Sequence, residues 1–212
     1  MGMRVVLATR NAGKIREIRD ILSDLDIELL GIDEFPHYTE PPEEGDTFED
    51  NALSKARAAY LGTGLPALAD DSGIEVDALD GGPGIRSARY GGGGLTDGER
   101  TMKLLQALEG VPEEGRGARF KCVSVFYPSP GEGGGALVTE GLLYGRISFE
   151  PAGENGFGYD PVFFLPERGV TVAQMEPVEK NSISHRYRAL VEMKWLLAGE
   201  LGLELKSPAH RS

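Results

Sequence analysis

A short apolar run, Leu65-Pro66-Ala67-Leu68-Ala69, leads straight into Asp70-Asp71-Ser72-Gly73: two adjacent carboxylates, a hydroxyl and a glycine. The run predicts a buried strand emerging at its C-terminal end, the edge at which open α/β sheets keep their ligand sites. Two like charges there destabilise the chain unless a cation or hydrogen-bond donors sit between them. One reading is therefore a divalent-metal and general-base pair. The other is an Asp-Asp-Ser-Gly turn, in which side chains bond local backbone and the glycine takes positive φ. These residues alone leave both open.

The 212 residues suffice for one well-cored domain of one or two lobes. No apolar stretch is long enough to cross a membrane, and Val5-Val6-Leu7-Ala8 is too short for a signal peptide. A single cysteine, Cys122, excludes an internal disulfide and suits the reducing cytoplasm. The charge, 22 − 34 = −12, opposes general nucleic-acid binding. A small phosphorylated ligand stays possible, because local lysines with a metal can reverse the field inside one cleft. Eight acidic residues and no Lys or Arg lie from Asp33 to Asp50, either as a solvated loop or as the source of a metal ligand. The histidines His37, His185 and His210 have no zinc-like spacing, and neither a Gly-x-Ser-x-Gly nor a dinucleotide-binding Gly-x-Gly-x-x-Gly follows the first strand.

Outward from the two carboxylates, the chain alternates strand and helix through its first half. Met3–Ala8 predicts a buried strand and Lys14–Leu25 a helix with Ile15, Ile18, Leu22 and Leu25 on one face. Between them, Thr9-Arg10-Asn11-Ala12-Gly13-Lys14 joins a strand to a helix N-terminus, either an anion site with outward N–H groups or a plain turn capped by Thr9 or Asn11. It matches a phosphate loop only in part, with Ala8 in place of the first glycine and Ile15 in place of the magnesium-binding hydroxyl, which also disfavours a kinase. Any metal must then be held elsewhere, by acids. Glu28–Ile32 predicts the second strand. A helix follows, capped by Asp46 or Thr47 with Glu49 or Asp50 closing a capping box, and packed through Phe48, Ala52, Ala56 and Ala59. Asn51 and Lys55 lie on a neighbouring face, Lys55 being either a solvated surface lysine or a cleft residue.

Ile74–Leu79 predicts a half-exposed strand. Thr96-x-x-Glu99 predicts a capped helix through Leu108 with Met102, Leu105 and Leu108 inward. Ala118–Tyr127 and Ala136–Ile147 predict long antiparallel strands joined by the glycine-rich loop Pro128–Gly135, with Cys122 a small core residue. Gly156-Phe157-Gly158-Tyr159-Asp160-Pro161 offers a flat aromatic face to a planar ring, or else plugs into the core through Phe157. Val162–Leu165 predicts a short strand. Glu179–Arg186 leads into a last helix with a core stripe of Tyr187, Leu190, Met193, Leu197 and Leu201, before a frayed tail, Lys206–Ser212.

Taken in order, Leu7–Lys14, Thr47–Ala52, Ala69–Gly73, Pro83-Gly84-Ile85-Arg86-Ser87-Ala88-Arg89-Tyr90, Gly156–Pro161 and Ser184-His185-Arg186 resemble the inosine triphosphate pyrophosphatase family, also called the dITP/XTP pyrophosphatases. Each motif alone is weak; six in order over nearly the whole chain are strong. The resemblance implies a single α/β domain over 1–212, with an elongated mixed sheet flanked by helices and two lobes enclosing the active cleft. It implies a cytoplasmic homodimer that hydrolyses non-standard purine nucleoside triphosphates (dITP, ITP, XTP) to monophosphate and pyrophosphate with Mg²⁺, without membrane or nucleic-acid partners.

On the site residues, the resemblance implies Asp71 as catalytic carboxylate with Asp70 beside it and an acid at Glu43 or Glu44. The residue types then suggest Mg²⁺ held by Asp70, Asp71 and that acid, with Lys14 and Lys55 as catalytic lysines that neutralise phosphate charge. Substrate binding falls on Thr9, Arg10, Asn11, Ala12, Gly13, Lys14 and Ser72, and base recognition on Phe157, Gly158, Tyr159, Asp160, Lys180, His185 and Arg186. Arg10 is a local departure, since family members often carry a small residue there. Two alternatives stay open: a pyrophosphatase of related fold acting on modified pyrimidine triphosphates, and a non-catalytic nucleotide-binding protein.

Overall fold

The computed structural model describes residues 3–128, 135–200 and 202. The 128–135 loop therefore lies mostly outside the described residues, as do Leu201, His210 and the 206–212 tail. Strand β1 (Met3–Leu7) feeds helix α1 (Ala12–Ile21), and β2 (Ile27–Gly31) returns beside it. Asn11 caps α1, so the helix opens two residues before the expected start at Lys14. Helix α2 (Phe48–Thr63) starts at a capping box between Thr47 and Asp50 and stops at Gly64, whose φ of 70° is the left-handed conformation that glycine adopts without strain. Strand β3 (Ala67–Val76) then runs unbroken through both aspartates. Of the two readings, the turn at Asp70-Asp71-Ser72-Gly73 is absent; these residues are strand, and both carboxylates lie mid-strand and not at its C-terminal end.

Helix α3 (Asp97–Ala107) is capped by the Thr96–Glu99 box. Its buried side chains are Thr101 and Leu104, followed by Leu108, whereas Met102, expected inward, is exposed. Strands β4 (Gly117–Tyr127) and β5 (Leu137–Ile147) match the two long apolar runs, and Cys122 is wholly buried. Short β6 (Phe163–Leu165) and β7 (Val170–Thr171) precede α4 (Pro177–Ile183) and α5 (His185–Glu200).

Among the described residues the sheet is seven-stranded, ordered β2-β1-β3-β4-β5-β6-β7. It is mixed: β1 pairs in parallel with β2 and β3, whereas β5–β6 and β6–β7 are antiparallel. The chain divides into two compact units. The first comprises 1–71, 122–141 and 186–212, and its core is Val5, Leu7 and Leu68 of the sheet under Ile18 and Ile21 of α1 and Leu190 and Met193 of α5. The second comprises 72–121 and 142–185, with Ile74, Val76, Phe120, Phe163 and Tyr159 in its core. Within the second unit Arg116 is buried and donates to the carbonyls of Leu108, Val111, Ile147 and Ser148. Among the described residues no helix is long and apolar enough to cross a membrane.

Candidate active site

Successive residues of a strand face opposite sides of a sheet, and this alternation separates the two aspartates of β3. Asp70 shares its parity with Leu68, which packs in the core under α1 and α5. Its carboxylate meets Lys14 Nζ at 2.9 Å and Arg186 Nη2 at 3.1 Å. Arg186 in turn pairs with Glu17 of α1. Arg186 and Asp70 are both about 1–2 % exposed. Burial alone would raise the pKa of Asp70, but the cations of Lys14 and Arg186 outweigh it and hold the carboxyl well below the usual carboxylate range. Asp70 is thus an anchor that is charged at neutral pH. Cys122 Sγ lies 3.8 Å from it, and burial with that neighbouring negative charge pushes the thiol up to about 12, so it is no nucleophile.

Asp71 looks to the other side and is met from α2. Asn51 Nδ2 donates to it at 3.2 Å and Lys55 Nζ at 2.8 Å. Glu43, at the end of the acidic loop, also reaches Lys55 Nζ. Here burial is the largest influence, and Lys55 and Lys14 do not fully offset it, so Asp71 is shifted upward from the ordinary value. Burial likewise opposes the charge on Lys55, but Asp71 and Glu43 overcome it and keep the ammonium. Lys55 is only 6 % exposed, which removes the solvated-surface reading of that residue. Neighbouring carboxylates whose environments push their pKa values apart mark separate roles, one a fixed charge and one able to take a proton.

The Thr9–Lys14 turn is more self-contained than its sequence suggests. Asn11 Oδ1 accepts from the amides of Gly13 and Lys14, and Thr9 Oγ1 accepts from the amide of Asn11. The expected outward amides of Gly13 and Lys14 are therefore satisfied by the cap, and the charge aimed inward from the turn is Lys14. Arg10 is exposed and pairs with Asp33 and Glu40. Of the two loop acids, Glu43 reaches the Lys55–Asp71 group, while Glu44 is exposed.

In the second unit the aromatic loop is tied down residue by residue. Asp160 Oδ2 accepts from the Phe157 amide at 2.9 Å and from Lys180 Nζ at 2.6 Å, and that ammonium lies 4.4 Å from the centre of the Phe157 ring. Gly156 has φ 79°, and a Cβ there would lie 2.1 Å from Asp160, so only glycine fits. Phe157 is half-buried. The residue that plugs the loop into the core is instead Tyr159, whose hydroxyl donates to the Ser87 carbonyl at 2.8 Å. The His185 ring stacks on Phe120 with centroids 4.8 Å apart. Arg186, expected to face a base edge, has its guanidinium enclosed by Asp70 and Glu17 in the first unit, because two buried acids bind it more strongly than a neutral ring edge could.

Sequence reasoning missed Glu17 and the separate α4. Glu17 carries no motif; its only signal is an acid next to Ile18 on the helix's apolar side. Among the described residues no three His, Cys, Asp or Glu side chains gather as a metal-binding group. What the first unit does offer is two carboxylates, Asp71 and Glu43, converging on one cation, Lys55. That thin oxygen set suits a hard divalent ion taking its remaining ligands from phosphate and water.

Fold and clusters together define an α/β protein with paired carboxylates on an inner strand of a mixed sheet, met by lysines from two helices. Residues 5–195 match the model of the Ham1 family. A dITP/XTP pyrophosphatase of Geobacter sulfurreducens is 51% identical over 191 residues, covering 90% of this chain and 94% of the relative. One from Vibrio parahaemolyticus is 52% identical, covering 88% and 92%. Among solved structures, a HAM1 protein from Coxiella burnetii superposes with TM-score 0.84 at 43% identity, covering 92% of this chain and 98% of that one. The chain belongs to the Ham1 family.

Proposed function

We propose that this protein hydrolyses purine nucleoside triphosphates of the dITP, ITP and XTP type to nucleoside monophosphate and pyrophosphate. The observation that carries the reading is the buried Asp71, shifted upward and held by Asn51 and Lys55 beside an Asp70 that stays charged at neutral pH. Relatives covering about nine-tenths of the chain and named for this activity support it.

In this mechanism Asp71 orients a water and takes its proton as the oxygen attacks the α-phosphorus, the bond to the bridging oxygen breaks, and pyrophosphate leaves. Asn51 fixes the carboxylate so that one oxygen faces the water. Lys14 and Lys55 neutralise charge developing on the transferring and leaving phosphates, which is the larger part of phosphoryl catalysis. Asp71 and Glu43 would hold a magnesium ion, which when bound neutralises phosphate oxygens. Asp70 keeps Lys14 and Arg186 in place. In the second unit Phe157 stacks on the purine, while Lys180 and His185 donate to a six-position oxygen. An adenine amino group would meet those donors unsatisfied, giving on the order of 10⁴-fold discrimination.

The cytoplasmic homodimer belongs to the same proposal and is checked by light scattering and fractionation. The function is tested by pyrophosphate release over a triphosphate panel with and without magnesium. Magnesium-dependent release from dITP, ITP and XTP, with ATP, dATP, dTTP and UTP poor, is expected. Cleavage of ATP as fast as ITP overturns the base-edge argument; preference for dTTP or UTP favours the pyrimidine enzyme; binding without release favours a sensor.

A further inference from the structure

We propose that Asp97 and Thr101, in the first two turns of α3, are positioning residues that set the height of the Phe157 ring by clamping Gly158 on both its polar groups. The inference rests on the purine-binding role given to Phe157 above.

The Gly158 amide donates to Asp97 Oδ2 at 2.9 Å, and Thr101 Oγ1 donates to the Gly158 carbonyl at 3.3 Å. One helix thus holds both hydrogen-bonding groups of the residue that follows the stacking ring. On its other side Phe157 is held through its own amide by Asp160. The ring sits between glycines at φ 79° and 63°, so its backbone has little intrinsic stiffness, and the clamps supply it. An acid at a helix start is ordinarily explained by the helix dipole. That accounts for the charge of Asp97 but not for its bond to a residue 61 positions away. Thr101 is 3 % exposed, and its hydroxyl reaches the same residue. A loop fixed before substrate arrives spares the ordering entropy at binding, so the clamp acts on nucleotide affinity and not on the phosphate chemistry.

The test uses Asp97→Ala, Asp97→Asn and Thr101→Val in the full chain. Turnover of dITP is followed by pyrophosphate release, and binding of inorganic tripolyphosphate, which has phosphates but no base, by calorimetry. Asp97→Ala should raise KM about 5- to 20-fold and Thr101→Val about 2- to 5-fold, with kcat within about twofold. Tripolyphosphate affinity should not change, and Asp97→Asn, which keeps an acceptor but not the charge, should restore most of the wild-type KM.

An unchanged KM in folded variants overturns the inference. So does a fall in kcat at constant KM, an equal loss of tripolyphosphate affinity, or failure of Asn to rescue. Should Asp97→Ala not fold, Thr101→Val decides by the same criteria. Wild-type protein that releases no pyrophosphate from dITP counts against the proposed function instead, which separates the two failures.

Discussion

Replacing Asp70 by asparagine removes one negative charge from between two buried cations while hardly changing side-chain volume. Lys14 Nζ, 2.9 Å away, and Arg186 Nη2, 3.1 Å away, lose their shared counter-ion. Breaking a buried pair from one side costs about 3–5 kcal/mol. The lower end applies here, since Arg186 keeps Glu17 and the Lys14 side chain, 14% exposed, can rehydrate. About 3 kcal/mol in a chain of this size corresponds to a melting temperature lower by roughly 6–12 °C. The same change one residue on should behave in the opposite way. In the fold, burial disfavours the charged form of Asp71, and Lys55 retains Glu43, so Asp71→Asn should keep its stability within about 1 kcal/mol of wild type.

Its cost falls on chemistry instead: loss of the general base should lower kcat by about 10²- to 10⁴-fold. Urea unfolding of both variants, at constant m, with pyrophosphate release on the same preparations, measures the two effects. An Asp70→Asn midpoint equal to wild type, or an Asp71→Asn variant that turns over normally, refutes the division of roles.

Other expectations follow from the same geometry. Arg116→Met should cost about 2–4 kcal/mol, because four carbonyls, two of them buried, lose a guanidinium hydrogen bond. Arg116→Lys should recover little of this, since an ammonium cannot span the fork; thermal unfolding reads both. Gly73→Ala should destabilise by about 1–3 kcal/mol, as its Cβ would lie 2.4 Å from the Gly84 carbonyl and 2.5 Å from Ser87 Oγ. In chelator-treated protein, the stability contributed by the depressed Asp70 should be full above the unfolded carboxylate value near 4 and vanish as pH falls through its lower folded value. Denaturant titrations from pH 7 to pH 2 follow the upper part of this fall, and in Asp70→Asn the corresponding fall should be smaller.

Much of the architecture was legible where the signal is local. The Thr47–Asp50 and Thr96–Glu99 boxes, the alanine stripe of α2 and the two long strands each follow from side chains acting within a few residues. The continuity of β3 was not legible, because Asp-Asp-Ser-Gly has strong turn propensity and only distant partners override it. Ser87 Oγ accepts from the Ile74 amide just past Gly73, and Lys14, Lys55 and Arg186 neutralise the acids from elsewhere in sequence. Met102 was misplaced because a constant spacing of three drifts around a 3.6-residue helix, and the buried face is the one of Thr101, Leu104 and Leu108. The site residues were legible as types; the pairing of Arg186 with Glu17 and Asp70, across more than a hundred residues, was not.

Strand continuity also explains why two adjacent acids are tolerated at all. At a chain end or turn, neighbouring carboxylates would share one environment and repel. On a strand their side chains diverge to opposite faces, so each acquires its own cations: Asp70 those of α1 and α5, Asp71 that of α2. The fold thereby gives two chemically identical groups unlike proton affinities without altering the sequence between them. A register shift of one residue in β3 would exchange the two environments. Asp71 would then be the fixed charge among α1 and α5, and Asp70 the carboxylate beside Lys55 able to take a proton. The division of labour at the site is therefore a consequence of the parallel β1–β3 register, Val6 with Ala67 and Leu7 with Leu68, as much as of the residues themselves.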